Sequence, residues 1–167
     1  SKTGEEAENL LKEFILYLRI NEAYILLQHR DLKRSKELLD SIHDLLNDIA
    51  PSFPEQNPLL NYLAYQYQIC TNIYEYKQDV KKFRMAYKSA LKAIQERNIA
   101  KANRYYTKLL LIFANLMKYL SKEKQFLLYK SIREVFKELT LLHAFRKKRT
   151  IPEPGKEYAL LRRLISR

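Results

Sequence analysis

Residues 28–32, QHRDL, return 67 positions later as residues 95–99, QERNI. Gln28, Arg30, Asp31 and Leu32 fall on Gln95, Arg97, Asn98 and Ile99 without a gap. Working outward, Leu16, Ile20, Ala23 and Leu27 fall on Phe83, Tyr87, Ala90 and Ile94. Downstream, Ile42, Leu45, Leu46 and Ile49 fall on Leu109, Ile112, Phe113 and Leu116. Beyond them Leu60, Tyr62 and Ile69 fall on Leu127, Tyr129 and Phe136. Apolar meets apolar through three successive segments, so one supersecondary unit is expected to occur twice. Arrays of this kind mostly present surfaces to partners.

A chain of 167 residues suits one domain or two small units sharing a core. Two glycines and five prolines are too few for the many tight turns of an all-β protein, and Leu, Ile, Lys, Glu and Ala favour helix. The expected fold is all-α: an antiparallel helical repeat or bundle of two three-helix units with a period of 67, plus a short C-terminal helix. One domain over 1–150 would contain the two repeats, about 5–78 and 79–147, and 151–167 would form a basic tail.

The segments follow from start and stop signals. Glu5, Glu6 and Glu8 suit the positive end of a first helix, about 5–29. A tight connection at Arg30-Asp31 leads to a second, about 32–49, ending before Pro51. The proline-rich stretch 51–58 is a loop, with Asn57 capping a third helix that Pro58 opens and that runs to about 77. Asp79 is read as the cap of a fourth helix, to about 96, followed by a fifth over 99–120. Ser121 caps a sixth, to about 147, and a short amphipathic helix over 156–165 closes the chain. The shared core places Tyr62 and Tyr129 at equivalent, buried positions.

The first two helices of each unit resemble a tetratricopeptide motif, over roughly 16–51 and 83–118. Ala23, the turn Arg30-Asp31, Leu32, Ser35 and Leu39 stand in that motif's order, as do Ala90, Arg97-Asn98, Ile99, Ala102 and Tyr106. The family's turn glycine is replaced by Arg30 and Arg97, and its closing proline arrives late at Pro51 and is missing from the second unit. The resemblance implies antiparallel helix pairs and binding of a protein or peptide along a groove. It carries over no functional residue.

Reaction chemistry is not visible. Gly4 and Gly155 cannot build a phosphate loop or a dinucleotide fingerprint. His29, His43, His143 and Cys70 share no ligand spacing, so neither metal nor cofactor is expected. A single cysteine allows no internal disulfide and suits a reducing, cytoplasmic setting. No run of about 18 apolar residues spans a membrane.

Charge is the remaining signal. Residues 1–83 hold ten Lys/Arg against thirteen Asp/Glu, a net of −3; residues 84–167 hold twenty-one against six, a net of +15. Helical stripes carry the excess: Arg84, Lys88 and Lys92; Arg97, Lys101, Arg104 and Lys108; Lys130, Arg133 and Lys137; then the run Arg146, Lys147, Lys148 and Arg149. These residues are the expected contacts for an anionic partner. Three kinds of partner fit: nucleic acid, an acidic protein, or an anionic membrane met by Tyr158, Leu161, Arg162, Arg163 and Leu164. The acids Glu37, Asp40, Asp44 and Asp48 share one helix face, so the chain could also associate with itself. The expected function is a non-enzymatic protein-binding scaffold whose basic second half docks on an anionic partner, with nucleic-acid binding as the alternative.

Overall fold

The computed structural model describes residues 2–52 and 57–144. Five helices account for nearly all of them: α1 (Lys2–Gln28), α2 (Leu32–Ile49), α3 (Pro58–Gln95), α4 (Ile99–Leu116) and α5 (Lys122–Ala144), with single 3-10 turns at Ala50–Ser52 and Met117–Tyr119. No strand occurs among the described residues. The protein is all-α, and it divides into two compact units, Ser1–Gln78 and Asp79–Arg167.

In the first unit α1, α2 and the first part of α3 run up, down and up. Lys12 reaches Asp48 and Arg19 reaches Ser41, so residue numbers rise on α1 as they fall on α2. Tyr24 donates to Gln66 at 2.7 Å and Lys77 donates to the Leu27 carbonyl at 2.5 Å, so α1 and α3 are parallel. Their core is Leu16, Ile20, Ala23, Leu27, Leu39, Ile42, Ile49, Leu63 and Cys70. Each fully buried Leu or Ile contributes about 1.5–3 kcal/mol. Ala23 and Ser35 are small where α1 and α2 approach, and the Ser35 hydroxyl is satisfied by the Asp31 carbonyl at 2.7 Å.

The second unit uses the rest of α3 with α4 and α5. Phe83, Ala86, Ala90 and Ala93 are its buried residues on α3, and Ile132, Val135, Leu139 and His143 those on α5. Tyr106 meets Phe136 with ring centroids 6.3 Å apart, and Asn103 meets His143 at 3.2 Å, so α4 and α5 are antiparallel. On α3, Tyr87 donates to Glu134 of α5 at 2.5 Å.

The turn that opened the sequence reading has the same geometry in both units. Arg30 and Arg97 sit in the left-handed region, with φ of 59° and 57°. Arg30 N–H donates to the Leu27 carbonyl and Asp31 N–H to Leu26; Arg97 and Asn98 repeat this with Ile94 and Ala93. That is the Schellman closure, which uses up the orphan carbonyls of the helix end. The next helix is capped at once: the Asp31 side chain accepts from Arg34 N–H and that of Asn98 from Lys101 N–H, each at 3.1 Å. A left-handed arginine costs about 1–2 kcal/mol relative to its ordinary conformation, and glycine avoids that cost at some loss of chain entropy. Arg30→Gly is therefore expected to raise stability by about 0.5–1 kcal/mol, read as a higher urea midpoint with an unchanged slope. A lower midpoint would mean that the arginine side chain holds the turn in a way its backbone does not show.

Three expectations are corrected. The fourth helix does not start at Asp79, because α3 runs unbroken from Pro58 to Gln95. Aspartate caps well only where the chain enters from an extended backbone, and no glycine or proline interrupts 59–95. Inside a helix aspartate costs only about 0.7 kcal/mol or less relative to alanine. The fifth helix, read to about 120, ends at Leu116 and tightens into the 3-10 turn. Ser121 then caps α5 as expected, its hydroxyl accepting from Lys124 N–H at 3.3 Å.

The third correction concerns register. The 67-residue spacing holds through α4, whose bounds match those of α2 residue for residue, and then fails. Tyr62 is 54% exposed and Tyr129 half-buried, so they are not equivalent. A spacing of 69 matches instead: buried Leu63 and Cys70 correspond to buried Ile132 and Leu139, and half-buried Tyr67 to Phe136. Under 67, Leu63 and Cys70 would fall on Lys130 and Lys137, and burying two ammonium groups is prohibitively expensive. The connection before α5 also spans 117–121, against 50–57 before α3, so the number of residues between second and third helix differs between the units. At the positions that correspond to Tyr24 and Gln66 by these two spacings the second unit has the apolar residues Leu91 and Val135.

Candidate anionic-partner interface

Each helix of the second unit buries one side and carries lysine and arginine on the other. On α3 the buried Phe83, Ala86, Ala90 and Ala93 lie opposite the exposed Arg84, Lys88 and Lys92. On α4 the buried arc includes Ala102, Tyr106, Leu109, Phe113 and Leu116, which the apolar spacing had marked. It also includes Leu110, Ile112 and Ala114, which that spacing had not marked, except that Ile112 pairs with Leu45 in the 67-residue match. Away from this arc run the half-buried Lys101 and the exposed Arg104 and Lys108; Arg97, expected as the first member of this stripe, is exposed but stands ahead of α4 in the left-handed turn, so it is not on the helix. Successive members are three or four residues apart, or about 4.5–6 Å along the axis. No acid lies on α4.

On α5, Lys130, Arg133 and Lys137 are exposed opposite Ile132, Val135 and Leu139. They share their face with Lys122 and Phe126, two residues that the stripes read from the sequence leave out. The spacing Lys122, Phe126, Lys130, Arg133, Lys137 follows the helical period and was readable in the sequence. Cations sit over rings here: Lys130 Nζ lies 4.9 Å from the Phe126 centroid and Arg133 Cζ 5.8 Å from that of Phe136. Arg104 lies 5.4 Å from Tyr105, and Lys118 4.9 Å from Tyr119. Such contacts contribute about 0.5–1 kcal/mol at exposed sites.

None of the ten candidate cations between Arg84 and Lys137 forms an ion pair among the described residues, whereas the first unit pairs its charges. Lys12 meets Asp48 at 3.2 Å and Glu8 at 3.5 Å, and Lys36 meets Asp40 at 2.8 Å. The hydrogen bond to Asp48 holds the Lys12 ammonium above its ordinary value, against a small opposing effect of burial. The predicted acidic face does come together: Glu37, Asp40, Asp44 and Asp48 line an open depression of about 630 Å3 with Arg19, Ser41 and Leu45. At equivalent, exposed positions the first unit has Glu37 and the second Arg104. Arg146, Lys147, Lys148, Arg149, Tyr158, Leu161, Arg162, Arg163 and Leu164 lie outside the described residues.

Cys70 is buried on α3. Burial pushes its thiol up to about 11, partly offset by a hydrogen bond to Tyr24, whose own hydroxyl burial pushes up to about 12. The reactive thiolate is therefore scarce at neutral pH. Iodoacetamide at about pH 8 is expected to label the folded protein roughly a hundredfold more slowly than the urea-unfolded chain. Comparable rates would show that this core opens readily.

Among the described residues no group of three His, Cys, Asp or Glu is placed to hold a metal ion, and no helix is long and apolar enough to cross a membrane. No protein-family model, no curated protein and no solved structure matches this chain.

Proposed function

We propose that this protein is a non-enzymatic, tetratricopeptide-like binding scaffold of the cytoplasm whose second unit docks on an anionic partner. The observation that carries the reading is the set of basic stripes on α3, α4 and α5. Each lies opposite a buried face, and none is paired with acids among the described residues. Solvated helix faces ordinarily mix signs and form acid–base pairs at i, i+4. The first unit does so with Lys36 and Asp40, and α4 does not. Folding does not demand the excess, since the core positions stay apolar in both units.

Protein binding has its own support in the first unit. Leu10, Phe14, Leu18 and Ile25 are exposed on α1, opposite its buried Leu16, Ile20 and Leu27. A helix that is apolar on two sides is of the kind packed on both.

The test is titration of the full chain against fluorescent heparin, duplex DNA, single-stranded RNA and anionic vesicles at low and moderate salt. Docking through the stripes predicts affinity that falls steeply with salt, with a slope of about −0.9 per neutralised phosphate on duplex or about −0.7 on single strands. Absence of binding to all four at low salt would refute the reading.

A further inference from the structure

We infer that the solvent face of α5 is a platform for single-stranded nucleic acid, on which Phe126 stacks a base while Lys122, Lys130, Arg133 and Lys137 meet phosphates. The inference rests on the proposal that the second unit binds a polyanion, and it names that polyanion. The five residues stand at i, i+4, i+8, i+11 and i+15, on the side of α5 opposite Ile132, Val135 and Leu139. They cover about 22 Å of helix axis.

Phe126 is the informative member. The residue is 57% exposed and lies outside the buried core, so the fold gains little from it. It is held beside a cation, with Lys130 Nζ 4.9 Å from its centroid. Farther along the helix Arg133 sits 5.8 Å from the ring of Phe136, but that ring is half-buried and packs on Tyr106, so Phe126 is the ring this face presents to solvent. A single strand supplies both complements, a phosphate and a free π-face in each nucleotide, and proteins bind it by this combination. A duplex supplies the phosphates but keeps its bases stacked inside.

An anionic membrane fits this face less well. The exposed apolar residues beside the stripe, Leu127 and Leu141, share their side of α5 with Glu123, Glu134 and Glu138. Inserting them would desolvate carboxylates. Glu134 already accepts a hydrogen bond from Tyr87. An acidic peptide would satisfy the cations and leave the ring without a role.

The experiment measures anisotropy of the full chain with a labelled oligouridine of about twelve nucleotides, a duplex of equal length, heparin and anionic vesicles. The variants are Phe126→Ala, Phe126→Trp and Lys130→Ala, each checked by circular dichroism. Phe126→Ala is expected to weaken oligouridine binding roughly 5- to 150-fold while leaving its salt slope and heparin affinity unchanged. Phe126→Trp should retain or improve binding, and Lys130→Ala should lower the slope by about 0.7. The inference is overturned if Phe126→Ala binds oligouridine as the parent does, if duplex is preferred, or if only vesicle binding responds. In those cases retained salt-sensitive heparin binding leaves the broader proposal standing. Loss of every polyanion from the parent protein removes both.

Discussion

Replacing Lys101, Arg104 and Lys108 together by glutamate is expected to weaken polyanion binding sharply while the helical signal and melting temperature stay nearly unchanged. Each reversal changes the net charge by two, so the chain falls from +12 to +6. If all three side chains meet phosphates, the salt slope loses about 2.7 on duplex or 2.1 on single strands. Three carboxylates facing the polyanion add repulsion, so the dissociation constant should rise by well over a hundredfold at about physiological salt. Stability is insulated for local reasons. Arg104 and Lys108 are exposed, and glutamate forms helix about as well as lysine or arginine. Position 101 stands three residues after the N-cap Asn98, where a glutamate completes a capping pattern and suits the helix dipole. Unchanged affinity in the triple variant would reduce the α4 stripe to a solvated face.

The largest expected effect on stability is at Leu139. It is fully buried, and Leu139→Ala should cost about 2–5 kcal/mol, the transfer of the lost atoms plus the cavity they leave. Leu127→Ala should stay within about 0.5 kcal/mol, because that side chain is 60% exposed. The pair tests the register of α5 directly. An unbroken 67-residue spacing matches Leu139 with the exposed Asn72 and Leu127 with the half-buried Leu60, and so predicts the reverse order. Urea midpoints for the two variants decide between the registers.

Much of the local structure was legible because its determinants are local. Asn57 caps with Pro58 behind it and Ser121 caps, as their residue types suggest; Asp31 and Asn98, legible as tight turns, prove to cap as well, each through a side chain reaching N–H groups two or three residues on. The period that aligned QHRDL with QERNI also aligned two arginines in the same left-handed conformation. The stripes on α4 and α5 followed from spacing and charge alone, since a helix places residues three and four apart on one face. Even the register slip had a trace in the sequence: Lys130 and Lys137 stand where an unbroken period would bury Leu63 and Cys70.

Other features were decided only by tertiary packing. Asp79 has the chemistry of a cap, but nothing in its neighbours breaks the helix, so α3 passes through it. Whether Tyr62 is buried depends on which turn of α3 meets α1 and α2. The buried arc of α4 is wider than its apolar spacing suggests, since Leu110 and Ala114 are covered as well. Sequence by itself determined that the chain is helical, several of its caps and the spacing of its charged stripes, because those arise from interactions spanning about four residues. The tertiary structure decided which helix faces are covered, because burial is a sum over partners that lie close in space and far apart along the chain.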